Sequence, residues 1–196
     1  MTALLVTGFG PFPGVTVNPS QHVVAAIEAA GHRGVTVARL ATEWAVCAEV
    51  AARAADAAAV LMFGVAPGAR TIRYERVALP AVSRAPDAAG AHASAPRLTY
   101  RRSQLPVPHL AAEARLDGFP VTLSSSAGTY ICNASYGAAL GANPRTLFVH
   151  IPLPMRHGPL SPDGLAAHGL WLADHLLTLL GHAGPRRPTQ GDGLAG

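Results

Sequence analysis

The chain has 196 residues, nearly half of them apolar, enough to bury a sizeable core, so one compact domain is expected. Its formal charge of +4 comes from basic residues scattered along the chain, with aromatics at only 6%; the basic face interleaved with exposed rings that nucleic-acid binding requires is missing, and no nucleic-acid partner is expected. All 15 basic residues are arginine, and the lack of lysine excludes a Walker lysine, a Schiff-base lysine and a pyridoxal-phosphate anchor.

In chain order, the apolar run 3–7 predicts a buried strand rather than a leader peptide, since no basic segment precedes it. A loop from Gly8 to Gly14 follows. Asn18-Pro19-Ser20 then opens a helix whose apolar spacing runs to Ala30, with Gly31 as its stop. A strand is predicted over 35–40, a helix over 44–58 and a buried strand over 59–63. Residues 71–81 read as extended, and the Pro/Ala/Gly-rich stretch 80–96 as an ordered covering loop. Helices over 105–116, 130–140 and 164–180 and strands over 120–123 and 146–151 complete the pattern. This alternation predicts an α/β fold with a largely parallel or mixed sheet and a site at the carboxyl ends of its strands. The domain is expected to span 1–183, with 184–196 as a disordered tail. The last helical run is interrupted by Asp174 and His175, so no membrane association is expected.

The glycine-rich loop is not a phosphate cradle. Gly8-Phe9-Gly10 would need a glycine where Pro13 stands, and Pro11 and Pro13 carry no N–H to offer a phosphate. Phe9 and Phe12 on this stiffened loop either wall a small apolar site or plug the core. Two cysteines make neither a disulfide framework nor a Cys-x-x-Cys pair, which fits thiols kept reduced in the cytoplasm. Cys132 falls at a predicted strand-to-helix junction, where the helix N-terminus favours the reactive thiolate; the competing reading is an inert buried thiol. Cys47, mid-helix, reads as core. Among nine histidines, His150 ends a strand at the sheet edge where Cys132 is expected, and no His-Glu-x-x-His spacing suggests a metal. Glu75, between Arg73 and Arg76 but for Tyr74, reads on residue type alone as a solvated ion pair.

Taken together, four segments resemble the pyroglutamyl peptidase I family of cysteine peptidases. They are Val6-Thr-Gly-Phe-Gly-Pro-Phe-Pro-Gly14 with Asn18-Pro19-Ser20; Gly64-Val-Ala-Pro-Gly68 with Tyr74-Glu-Arg-Val-Ala78; Ser126-Ala-Gly-Thr-Tyr-Ile-Cys-Asn133; and Val149-His-Ile-Pro152. They occur in family order, and the cysteine block is the most specific. The resemblance implies a three-layer α/β/α fold and a triad of Glu75, Cys132 and His150, with no metal or cofactor. It further implies an oxyanion held by the Cys132 amide with Arg84 assisting. Phe9, Phe12 and Asn18 would bind the pyroglutamyl ring of N-terminally pyroglutamylated peptides, with capping of the following helix as the other reading of Asn18. The family is often tetrameric, so a homo-oligomer is a further expectation. The run after Glu75 departs from the family: Pro80 stands where an asparagine is usual, and Ser83-Arg-Ala-Pro-Asp-Ala88 is one residue short. That change keeps two alternatives open: a divergent thiol hydrolase of another acyl or lactam substrate, and a catalytically silent binding protein.

Overall fold

The N-terminal apolar run and Ala57–Val65 are alanine-, valine- and leucine-rich with almost no polar interruption, the pattern of strands buried on both faces. In the computed structural model, described over residues 2–12, 14–93 and 99–182, they form the centre of a six-stranded mixed sheet. The strands are β1 (Thr2–Phe9), β2 (Val35–Leu40), β3 (Ala57–Val65), β4 (Ile72–Glu75), β7 (Val121–Ser124) and β8 (Thr146–Ile151), in the order β2-β1-β3-β8-β4-β7. A separate two-stranded ribbon pairs β5 (Val77–Ala78) with β6 (Arg101–Arg102). β1, β2, β3 and β8 run parallel; β4 is antiparallel to β8 and parallel to β7. The start of β4 therefore lies at the same sheet edge as the carboxyl ends of β1, β3 and β8.

Strand alternation sends one set of side chains to each face, and each face has its own core. Leu4, Val6, Phe63, Tyr74 and Val149 pack under α1 (Ser20–Ala29), α3 (Val107–Leu116) and α5 (Pro162–Leu179). Leu5, Phe9, Met62 and Phe148 pack under α2 (Val46–Ala55) and α4 (Ile131–Ala142). This is the three-layer α/β/α architecture expected. α1 lies so close to β1 that a Cβ on Gly8 would come within 2.8 Å of Val24 Cγ2. Among the described residues, no helix is long and apolar enough to cross a membrane. The tail expected over 184–196 lies outside the described residues.

Candidate active site

β1 ends at Phe9, and the following turn is closed by reciprocal backbone hydrogen bonds between Phe12 and Val15, with Gly14 at φ 86°. Only a residue without a Cβ enters that region at low cost. Asn18 is buried behind this loop: its Nδ2 donates to the Gly10 carbonyl at 2.9 Å, and its Oδ1 accepts from the Ser20 amide and hydroxyl at 3.1 and 2.8 Å. The Ser20 hydroxyl in turn accepts from the Phe9 amide at 3.0 Å. Asn18 thus fixes the end of β1 to the start of α1, and among the described residues only one of its two amide protons meets an acceptor.

Cys132 is the second residue of α4, in the first turn, where backbone N–H groups have no intrahelical acceptor. Its neighbours Ile131 and Asn133 are buried while Cys132 is half-buried, so the thiol is the part of this turn that meets the cavity. The sulfur lies over Gly64 of β3, where a Cβ would approach it to 3.2 Å and the Phe148 ring to 2.7 Å. Gly64 is the ladder neighbour of His150 on β8. His150 Nδ1 donates to Glu75 Oε1 at 2.8 Å, and Glu75 is fully buried. The surface ion pair that residue type suggested for Glu75 is therefore replaced by a buried one with His150. Burial alone would pull the His150 pKa down, but interaction with the Cys132 side chain and with the Glu75 carboxylate outweighs it and pushes the imidazole up to about 9. The ring is therefore disposed to hold a proton at neutral pH.

Cys132 and His150 face a cavity of about 510 Å³, with Glu75 buried behind His150. Phe9, Phe12 and Val65 line it with apolar surface and Asn18 and Thr42 with polar groups, together with Cys132, His150 and Arg73. Phe9 is both wall and core, buried and packed on Phe148 with ring centroids 6.2 Å apart, whereas Phe12 is half-buried. Arg84 is not brought to this cavity. It is exposed and borders a separate depression with Val82, Ser83 and His92, because its loop is pinned elsewhere: His92 Nδ1 donates to the Arg84 carbonyl, and the Asp87 carboxylate accepts from the Trp44, Ala89 and Ala91 amides. Arg84 is therefore not placed beside Cys132, as the oxyanion role implied by the resemblance would need. Arg73, Thr42 and Tyr130 line the cavity although the sequence reading did not single them out as site residues. For Arg73 a signal existed, since positions 73 and 75 of one strand necessarily share a face. Cys47 is half-buried, away from the cavity, with its thiol pushed up to about 11 by burial. Among the described residues, no three His, Cys, Asp or Glu side chains are grouped as a metal ion would require.

A thiol, an imidazole and a buried carboxylate at the strand ends of a three-layer α/β/α sheet define the class, a cysteine hydrolase of α/β architecture. The family model described as pyroglutamyl peptidase matches residues 2–162, and the chain belongs to that family. It is 35% identical over 166 residues to the pyrrolidone-carboxylate peptidase of Chromobacterium violaceum, covering 78% of each chain. It is 33% identical over 194 residues to that of Streptomyces coelicolor, covering 87% of this chain and 89% of that one. The crystal structure of Bacillus amyloliquefaciens pyroglutamyl peptidase I superposes with a TM-score of 0.73 at 26% identity, over 93% of this chain and 98% of that one.

Proposed function

We propose that the chain hydrolyses the amide bond joining an N-terminal pyroglutamyl residue to the next residue of a peptide, with Cys132 as nucleophile, His150 as acid and base, and Glu75 orienting the imidazole. The observation that carries this reading is the 2.8 Å Glu75–His150 pair, with Cys132 facing the same cavity. The Cys132 sulfur attacks the acyl carbon, forming a thioester as the C–N bond breaks and the amine leaves with the proton from His150. Water then attacks the thioester, His150 takes its proton, and the C–S bond breaks to release pyroglutamate and the thiolate. The oxyanion of each step is met by the Cys132 amide in the first turn of α4. A lactam is neutral, so an apolar slot with few hydrogen-bonding groups suits it: Phe9, Phe12 and Val65 supply the slot and the second amide proton of Asn18 a donor. Two free thiols at half-buried positions suit a reducing compartment such as the cytoplasm. The catalytic unit on this reading is the domain expected over 1–183.

Hydrolysis of a chromogenic pyroglutamyl amide tests the proposal. The wild type should cleave it, Cys132→Ala should lose about four orders of magnitude or more in kcat, and Cys47→Ser should retain activity. Full activity in Cys132→Ala, or none in the wild type, would end this reading.

A further inference from the structure

Across the strand ends, the cavity is laid out in one direction. Phe9 stands on β1, Cys132 over Gly64 of β3, His150 on β8 and Arg73 on β4, the spatial order of the strands. Three inter-strand spacings separate β1 from β4, about 14 Å. If the lactam occupies the Phe9 end, the leaving amine lies towards His150 and the substituents of the leaving residue towards Arg73.

Arg73 is directly opposite His150 in the antiparallel β4–β8 ladder, where paired Cβ atoms lie about 4.5–5.5 Å apart. It is half-buried. The arginines found in ion pairs among the described residues are Arg39 and Arg53, and Arg73 makes neither an ion pair nor a side-chain hydrogen bond there. Among the described residues no Asp or Glu lines the cavity, and the Glu75 carboxylate faces His150. The site thus carries a positive charge that neither the lactam nor the triad uses. A guanidinium held in a partly desolvated cavity is suited to a carboxylate, which it can bind with two charge-assisted hydrogen bonds. The carboxylate carbon of an amino acid is two bonds from its nitrogen, so a leaving residue with a free α-carboxylate delivers that group to the neighbourhood of the protonating imidazole. Ser126 also lines the cavity; its hydroxyl accepts from the Gly128 amide and keeps its own proton to donate, whereas the Ser124 hydroxyl already donates to the Ser126 carbonyl.

We infer that Arg73 is a specificity-determining residue that selects pyroglutamyl substrates bearing a carboxylate on the residue after the scissile bond, with the free α-carboxylate of a pyroglutamyl dipeptide as the favoured source. The inference rests on the pyroglutamyl reading above.

Release of pyroglutamate from three substrates, pyroglutamyl-alanine, pyroglutamyl-alanine amide and pyroglutamyl-glutamate amide, tests it by comparing kcat/KM. The wild type should favour a carboxylate substrate over the neutral amide by about tenfold or more, a charge-assisted hydrogen bond being the difference. Whether the dipeptide or the glutamate substrate shows the gain identifies the main chain or the side chain as the source. In Arg73→Gln the ratio should fall towards one, and Arg73→Lys should retain part of it. A ratio near one in the wild type, or one that survives in Arg73→Gln, overturns the inference while leaving the peptidase reading intact. Failure of the wild type on all three substrates overturns both. Should Arg73→Gln not fold, the wild-type ratio at low and high salt decides, because screening must weaken a preference that rests on charge.

Discussion

Phe9 ends β1 and Phe12 stands three positions further on, in the turn that follows, yet their surroundings predict different consequences when each is shortened. The Phe9 ring is 2% exposed and wedged against Phe148, so Phe9→Ala opens a cavity in the core beneath α2 and α4. A loss of about 3–5 kcal/mol in unfolding free energy is expected for such a truncation. Phe12, half-buried beyond the end of β1, contributes less to the core and more to the cavity wall. Phe12→Ala should therefore leave the denaturant midpoint near that of the wild type while kcat/KM for a pyroglutamyl amide falls by about 1–3 kcal/mol of transition-state binding. Equal stability losses in the two variants, with wild-type kinetics in both, would mean that the loop is core and the lactam sits elsewhere. The sequence left wall and core as alternatives for these residues because both call for an aromatic ring; only the packing of Phe148 against one of them separates the two.

At the level of elements, α4 holds the site together. Besides Cys132 it carries Asn133, whose Nδ2 donates to the Leu79 and Ala81 carbonyls at 2.9 Å each and whose Oδ1 accepts from the Leu79 amide at 2.8 Å. One turn on from Cys132, the Tyr136 hydroxyl donates to the Glu75 carbonyl at 2.8 Å. The helix that presents the thiol is thereby tied to the strand that presents the carboxylate, and His150 lies between them. Tyr136→Phe removes this tie, so kcat should fall by between about tenfold and 100-fold through misalignment while KM changes little. An unchanged kcat with only a lower melting temperature would reduce Tyr136 to a core residue. Much of this framework was legible: β2 and β8 have the bounds their periodicity predicts, and Cys132 and His150 meet where a strand-to-helix junction and a strand end suggested. The helix expected over 44–58 instead ends at Ala55. Its alanines favour a helix locally, but pairing of Ala57 with Thr2 of β1 draws the next residues into the sheet. β6 was missed because two exposed arginines carry no strand signal of their own. The ties of Asn133 and Tyr136 were hidden for another reason: they join positions 52 to 61 residues apart, and side-chain periodicity does not encode such contacts.

Over the whole molecule, the sheet separates two buried histidines with opposite tendencies. His150, on the α2/α4 face, is surrounded by groups that favour its charge, whereas His168 of α5 lies fully buried on the other face. The groups around His168 are Tyr74 from β4, whose hydroxyl lies 2.8 Å from its Nε2, and the rings of Phe119 and Trp171; no carboxylate forms an ion pair with it among the described residues. Burial pulls its pKa from 6.5 down to about 3. The folded chain therefore keeps this ring neutral where the unfolded chain protonates it, and stability rises with pH while the unfolded state binds the extra proton. The contribution is complete above the unfolded pKa of about 6.5 and is lost progressively as pH falls towards about 3, at up to about 1.4 kcal/mol per pH unit. Urea unfolding of the wild type and of His168→Gln across this range measures the difference directly. The variant starts from a lower stability because it loses the packing of the ring, but its slope against pH should be shallower by close to one proton. Carboxylates such as Asp87, held below their usual range by the Trp44 amide and then by the amides of its own loop, steepen both curves alike and cancel in the comparison. Parallel curves would show that His168 takes up a proton in the folded state, with the Tyr74 hydroxyl oxygen then accepting from Nε2.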